Sequence, residues 1–150
     1  MKERIIQTIH IHHPHKGEIF KELVKWGESL WWPQGSLISF KNLTQEIKEG
    51  TIYLQKVKLP FGPSWHTRNE VIDDKNFYIK RVFLDGIFSQ GYEEIYLKEE
   101  NNLKKVIYTF SVSPHGVLNK ILWRLVFRKL HIKNLKKILN ALKIYKEKKE

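Results

Sequence analysis

From Val117 to Tyr145 the chain reads VLNKILWRLVFRKLHIKNLKKILNALKIY, and the spacing of its apolar residues decides the fold. Val117, Leu118, Ile121, Leu122, Leu125, Val126, Leu130, Leu135, Ile138, Leu139, Leu142 and Tyr145 recur three and four apart. That repeat predicts one long amphipathic helix. Ser113 suits its N-cap and Pro114 its first helical position, where a missing N–H costs nothing. At 1.5 Å per residue, a helix of about 30 residues spans roughly 45 Å. This exceeds what a chain of this size needs for coverage, so the last turns, Lys143 to Glu150, are expected to overhang the body.

Upstream of the helix the periodicity changes from 3.6 to 2. Strand-like runs cover Ser36 to Ile47, Thr51 to Leu59, Ser64 to Ile72, Phe77 to Leu84, Ile87 to Lys98 and Leu103 to Val112, with turn residues in every gap. Lys48-Glu49-Gly50 predicts a three-residue loop with Gly50 left-handed. Asp73 to Asn76 and Glu99 to Asn102 predict two further hairpin loops, and Pro60-Phe61-Gly62-Pro63 a stiff corner. Asp85-Gly86 predicts a two-residue type I′ hairpin. At the N-terminus, Ile5, Ile9 and Ile11 alternate with Thr8, His10 and His12, as on a half-buried strand. Pro14 ends that strand. Ile19, Phe20, Leu23 and Val24 then mark a short amphipathic helix, closed by Gly27 and Trp31-Trp32-Pro33.

The resulting order is strand, short helix, six antiparallel strands, long helix. It predicts an α+β chain: a seven-stranded curved antiparallel sheet wrapped around a long C-terminal helix, with one or two short helices after strand one. Length predicts a single domain over residues 1–150. A curved sheet gripping one helix is expected to leave an apolar hollow, the default ligand site.

Composition bounds the function. With 41% hydrophobic and 13% aromatic residues, the chain is globular rather than disordered. No apolar run approaches the roughly 20 residues that span a bilayer, and no signal-peptide core follows the basic N-terminus. Cysteine is absent, which excludes disulfides and thiolate metal sites and favours a cytoplasmic location. Abundant Lys, Ile and Glu fit a thermophile, and equally an AT-rich genome. The formal charge of +11 is unevenly placed. Residues 115–150 hold eleven Lys or Arg and two Glu, and residues 1–114 hold sixteen basic and fourteen acidic residues. The C-terminal segment therefore carries the charge. Its sign and amphipathicity suit an anionic membrane, ribosome or RNA. A solvated polar face is the favoured reading, because the sheet needs the apolar stripe.

Several short stretches, in order, resemble the SRPBCC superfamily of START-like or helix-grip proteins, with its polyketide cyclase/dehydrase-like group. Ile11-His12-His13-Pro14 resembles the family's Ile-x-Ala-Pro after strand one, and Ile19-Phe20 its Val-Phe/Trp pair. Trp32-Pro33 is similar to its Trp-Pro region, Gly86-Ile87-Phe88 to the Gly-x-Phe opening strand six, and Pro114-His115-Gly116 to the Pro-x-Gly before the last helix. One branch has an aromatic and two histidines where this chain has Gly91, Glu93 and Ile95, so that branch's function is not carried over. The resemblance implies a seven-stranded sheet around a hydrophobic pocket, used by members for lipids, polyketides, quinones or hormones. It implies no particular reaction.

The candidate sites follow from strand parity. His10, His12, His13 and His15 are read as an exposed strand face and a strand–helix junction, with no metal, and no cofactor is expected. A two-residue Asp85-Gly86 turn would put Tyr78, Lys80, Val82 and Leu84 on the same face as Glu93, Ile95 and Leu97, with Lys80 diagonal to Glu93. Inside a pocket that pair would suggest ligand recognition or acid–base chemistry. Glu94, Tyr92 and Tyr96 replace them if the parity reverses. Val106, Tyr108, Phe110 and Val112 are placed inward by hydrophobicity, against Thr109 and Ser111. The ligand-lining set is thus Ile9, Ile11, Trp31, Trp32, Trp65, Tyr78, Lys80, Glu93, Ile95, Tyr108, Phe110, Leu122, Trp123 and Val126. The favoured function is binding of a lipid-, polyketide- or quinone-like molecule. The alternative is a cyclase or dehydratase with Glu93 as general base and Lys80 or a tyrosine orienting the substrate.

Overall fold

The computed structural model describes residues 2–60 and 62–148. Its seven strands are β1 (Glu3–Ile11), β2 (Ile38–Asn42), β3 (Ile52–Val57), β4 (Ser64–Asp73), β5 (Tyr78–Phe83), β6 (Tyr92–Glu100) and β7 (Leu103–Val112). They form one antiparallel sheet in the order β1-β7-β6-β5-β4-β3-β2. The six later strands run as a meander, and β1 closes onto β7 with Glu3 opposite Val112 and Ile11 opposite Lys104. Helix α1 (Lys16–Val24) buries Ile19, Phe20 and Leu23. With the long C-terminal helix, this is the helix-grip α+β fold.

Alternation settles which face is inside. Ile5 and Ile11 are buried and Ile9 is half-buried, whereas Thr8 and His12 are exposed. On β7, Val106, Tyr108, Phe110 and Val112 are buried, and Thr109 and Ser111 are buried as well. In β4 the register slips between Asn69 and Val71. This bulge leaves Glu70 unpaired in the ladder and returns Ile72 to the inner side. Gly50 is left-handed, at φ +91°, as its loop requires. Asn101 and Asn102 also have positive φ and form the tight turn between β6 and β7.

The β5–β6 connection differs from the two-residue turn. The Asp85 carboxylate accepts from the His66 backbone N–H at 2.7 Å and meets His66 Nδ1 at 2.7 Å. That clamp draws Asp85 onto β4. Gly86–Phe88 then forms a 3₁₀ turn, and β6 begins at Tyr92 instead of Ile87. Gly86-Ile87-Phe88 therefore precedes strand six rather than opening it. Tyr78 pairs with Tyr96, Lys80 with Glu94 and Arg81 with Glu93. The slip is an odd number of residues, so β5 turns its other face inward.

The C-terminal helix runs as α2 (Val117–Leu122), a π-helical turn (Trp123–Phe127) and α3 (Arg128–Glu147). It starts at Val117, not Pro114. Pro114 is buried after β7, and Gly116, at φ +88°, redirects the chain into the helix. The far end does not overhang. Lys143 Nζ donates to the His10 carbonyl at 2.6 Å, and the His12 N–H donates to Glu147 at 2.8 Å. Lys149 and Glu150 lie outside the described residues.

The π turn divides the apolar stripe in two. Leu135, Ile138, Leu139 and Leu142 of α3 are buried. Continued backward at 3.6 residues per turn, that stripe would bring Arg124, Ile121 and Val117 inward. A π turn holds an extra residue, so Trp123 and Phe127 face inward instead. Leu125, Ile121 and Val117 are exposed, and no residue of α2 is buried.

Candidate functional site

The hollow expected between sheet and helix is largely filled by rings. Trp65 packs edge-on against Phe88 at 5.1 Å, and Phe88 against Trp123 at 5.2 Å. Trp123 stacks on Phe110 at 5.8 Å, and Phe110 lies 4.3 Å from the His131 ring. These rings line a partly open void of about 40 Å³, completed by Leu37, Ile38, Val57, Leu59, Pro63, Ile87, Phe127, Leu130 and Asn134. A second void of about 10 Å³ lies among Trp26, Trp32, Phe40, Gln55, Glu93 and Tyr108. Ile38, His131 and Asn134 line both and so stand between them. A water needs roughly 10–15 Å³, so the first void has room for a few waters and the second for at most one.

Polar groups in this interior are largely paired. Asn134 accepts from the Leu37 N–H at 2.9 Å and donates to Ser36 at 3.3 Å, tying α3 to the segment before β2. Gln55 accepts from Trp65 Nε1 at 3.2 Å and from Thr67 at 2.6 Å. Among the described residues the buried side-chain atoms without a partner are Ser29 Oγ, Tyr53 Oη and His131 Nε2, and of these three residues His131 lines the voids. Its Nε2 is buried with no hydrogen-bond partner among the described residues, and burial pushes the imidazole pKa down from 6.5 to about 4. The ring is therefore neutral near pH 7 and has one nitrogen free to meet a polar atom.

Around the smaller void stands a buried charge network. Arg81 Nη1 donates to Glu93 Oε1 at 3.3 Å, its Nε to Asn69 at 3.1 Å, and its Nη2 to the Leu23 carbonyl at 3.1 Å. Leu23 lies in the last turn of α1, where a cation is favoured. Tyr108 donates a short hydrogen bond to Glu93 Oε2. Burial, and then the Glu93 charge, push the Tyr108 pKa well above its ordinary value. Trp26 stacks on Tyr108 at 5.6 Å, with Arg81 6.0 Å from its ring. Each Glu93 oxygen already holds a donor, and the adjoining void has no room for a substrate. The geometry makes this network a pillar that fixes β5, β6, β7 and α1 together.

The sequence-derived candidates separate accordingly. Trp65, Phe110 and Trp123 line the larger void, and Trp32, Glu93 and Tyr108 the smaller. Ile11, Trp31 and Ile95 are buried in the packed core, with Trp31 Nε1 donating to Glu22 at 2.9 Å. Ile9 lines an open outer groove of about 900 Å³ with Leu37, Lys133 and Lys137. Tyr78 and Lys80 are on the opposite face of the sheet, the consequence of the odd slip after β5. There Tyr78 and Tyr96 both donate to Glu94, at 2.5 and 3.2 Å, and Lys80 pairs with Glu70 at 3.6 Å. Leu122 and Val126 face outward, on the side of the helix opposite the buried stripe of α3. Arg81 and His131 were not among the candidates. Their signals were an arginine between Ile79 and Phe83 on an alternating strand, and a histidine four residues before Leu135 on the buried stripe.

The N-terminal histidines do not converge. His10 lies 3.6 Å from Glu100, and His13 Nδ1 accepts from the His15 N–H at 3.1 Å. No group of three metal-ligating side chains occurs among the described residues. Among them, too, no helix is long and apolar enough to cross a membrane.

No family profile matches the chain, and no curated protein matches it. Solved structures do. The chain is similar to Ara h 8.0201, at 14% identity over 97% of each chain with a TM-score of 0.69. It is similar to TTHA0849 from Thermus thermophilus, at 16% identity over 94% of each chain and a TM-score of 0.71. An uncharacterised protein from Bacillus thuringiensis matches at 20% identity, over 95% of this chain and 98% of that one, with a TM-score of 0.64. At such identities the likeness is one of fold: a curled sheet gripping a C-terminal helix.

Proposed function

We propose that this protein binds a mainly apolar small molecule at the Trp65–Trp123 end of its interior, with one polar atom of the ligand meeting His131. The observation that carries this reading is an apolar void beside a buried imidazole whose Nε2 has no partner among the described residues. Such a nitrogen is costly to leave unpaired, and a ligand hydroxyl or amide would satisfy it. Ligands of lipid, polyketide or quinone size need roughly 300 Å³ or more. Their entry therefore requires Trp123 and Phe127 to move, and both lie on the π turn. The fold shared with the solved structures supports a ligand-binding role without naming a ligand.

The test is fluorescence titration with the apolar probe N-phenyl-1-naphthylamine, read by energy transfer from Trp65 and Trp123, with native mass spectrometry of the purified protein. Phe127→Ala, which enlarges the void, is expected to tighten probe binding, and Val57→Phe, which fills it, to abolish binding. Absence of probe binding in both the parent protein and Phe127→Ala, or binding unchanged by Val57→Phe, would overturn the proposal.

A further inference from the structure

The helix carries a second apolar face, and among the described residues this one is left largely in solvent. Val117, Leu118, Ile121, Leu122, Leu125 and Val126 are between 36% and 76% exposed, and they lie on one side of α2 and the π turn. Solvated aliphatic side chains gathered on one face mark an interaction surface. The helix's own charges around them are of one sign, with the Glu3 carboxylate of β1 meeting Trp123 Nε1 beside them. Lys120 and Arg124 share a groove with Val117, Ile121 and Leu125, and Arg128 and Lys129 follow. The sequence has no Asp or Glu from Asn101 to Lys146. Arg128 lies 3.8 Å from Glu3. Lys120, Arg124 and Lys129 form no ion pair among the described residues.

We infer that this face docks the protein onto an anionic lipid bilayer. The aliphatic side chains would enter the headgroup–acyl boundary, and Lys120 and Arg124 would lie at the level of the phosphates. Charge complementarity chooses this occupant. A second copy of the chain would bring Lys120 and Arg124 against their own equivalents, and RNA would leave the aliphatic face in water. The inner side of the same π turn presents Trp123 and Phe127 to the larger void, so the docking face and the cavity wall are two sides of one helical segment. The inference does not depend on whether that void takes a ligand.

The experiment is co-sedimentation of the full chain with sucrose-loaded vesicles of phosphatidylcholine alone or with about 30% phosphatidylserine. Binding is expected to the anionic vesicles at low salt, and to weaken at about 0.5 M NaCl, where surface charge is screened. Lys120→Gln and Arg124→Gln are each expected to weaken it about fivefold. Leu118→Glu with Leu125→Glu, at positions already in solvent, is expected to reduce it at least tenfold while leaving the circular dichroism spectrum and melting temperature unchanged. No binding at low salt would overturn the inference, as would binding undiminished by the paired glutamates. Analytical ultracentrifugation supplies a separate readout: a dimer dispersed by the paired glutamates would identify the occupant as a second copy and also overturn it.

Discussion

Arg81 lies directly opposite Glu93 across β5 and β6, and each side chain is only 2% exposed. An ion pair so deep stabilises little relative to apolar residues of the same volume, but breaking it leaves an unpaired charge in the core. Arg81→Met is therefore expected to destabilise the protein by about 3–5 kcal/mol in urea titrations. Tyr108→Phe removes one donor to the same carboxylate and should cost about 1–3 kcal/mol. Replacing both charges, Arg81→Met with Glu93→Met, should recover much of the single-variant loss. A cost below about 1 kcal/mol for Arg81→Met would contradict the pillar role assigned to this network.

His131 makes stability depend on pH in a defined direction. Its folded pKa of about 4 lies below the ordinary 6.5, so between these values the unfolded chain binds a proton that the native protein does not. Stability from this group is complete above pH 6.5 and falls as the pH drops toward 4, by up to about 1.4 kcal/mol per pH unit. Carboxylates contribute their own slope at the lower end. The measurement is therefore the difference between parent and His131→Leu in urea titrations at pH 7, 6, 5 and 4. The parent should lose more stability than the variant over that range, and parallel curves would show that His131 titrates normally.

Gly86 stands at the turn that sets the parity of β5. Its φ is +76°, and a Cβ there would lie 2.8 Å from Trp65 Cβ and 3.2 Å from the Ser64 carbonyl oxygen. Gly86→Ala is expected to cost about 1–3 kcal/mol. Gly17, in α1, has open space where an added methyl would stand, with nothing within 4 Å of it, so Gly17→Ala should stabilise by up to about 1 kcal/mol. Thermal melts of the two variants should move in opposite directions, and a destabilised Gly17→Ala or an unaffected Gly86→Ala would refute this account.

The order of elements was legible because two periodicities, 2 and 3.6, alternate cleanly along the chain, and because turn residues sit between the strands. The inward placement of Glu93 was legible too, since β6 keeps its alternation from Tyr92 onward. Lys80 was misplaced for a local reason: the Asp85 carboxylate caps the His66 backbone instead of building a tight hairpin, and no short-range rule reports a partner nineteen residues away. The outward position of Leu122 and Val126 was hidden because apolar residues lie on both sides of this part of the helix, so their spacing alone does not choose the face that meets the sheet. The small size of the void depends on how several large rings interlock, and alternation alone says nothing of that.

The π turn at Trp123–Phe127 also bears on how such a surface can be kept. It differs from regular helix by one residue, so a single-codon deletion there would wind the segment back to 3.6 residues per turn. The wide turn absorbs its extra residue within itself, so the turns on either side would keep the faces they have now. Val117, Leu118 and Ile121 would stay in solvent and Leu135 and Ile138 in the core. In this fold the wide turn can therefore be gained or lost by one residue without disturbing either the gripped stripe or the outward one.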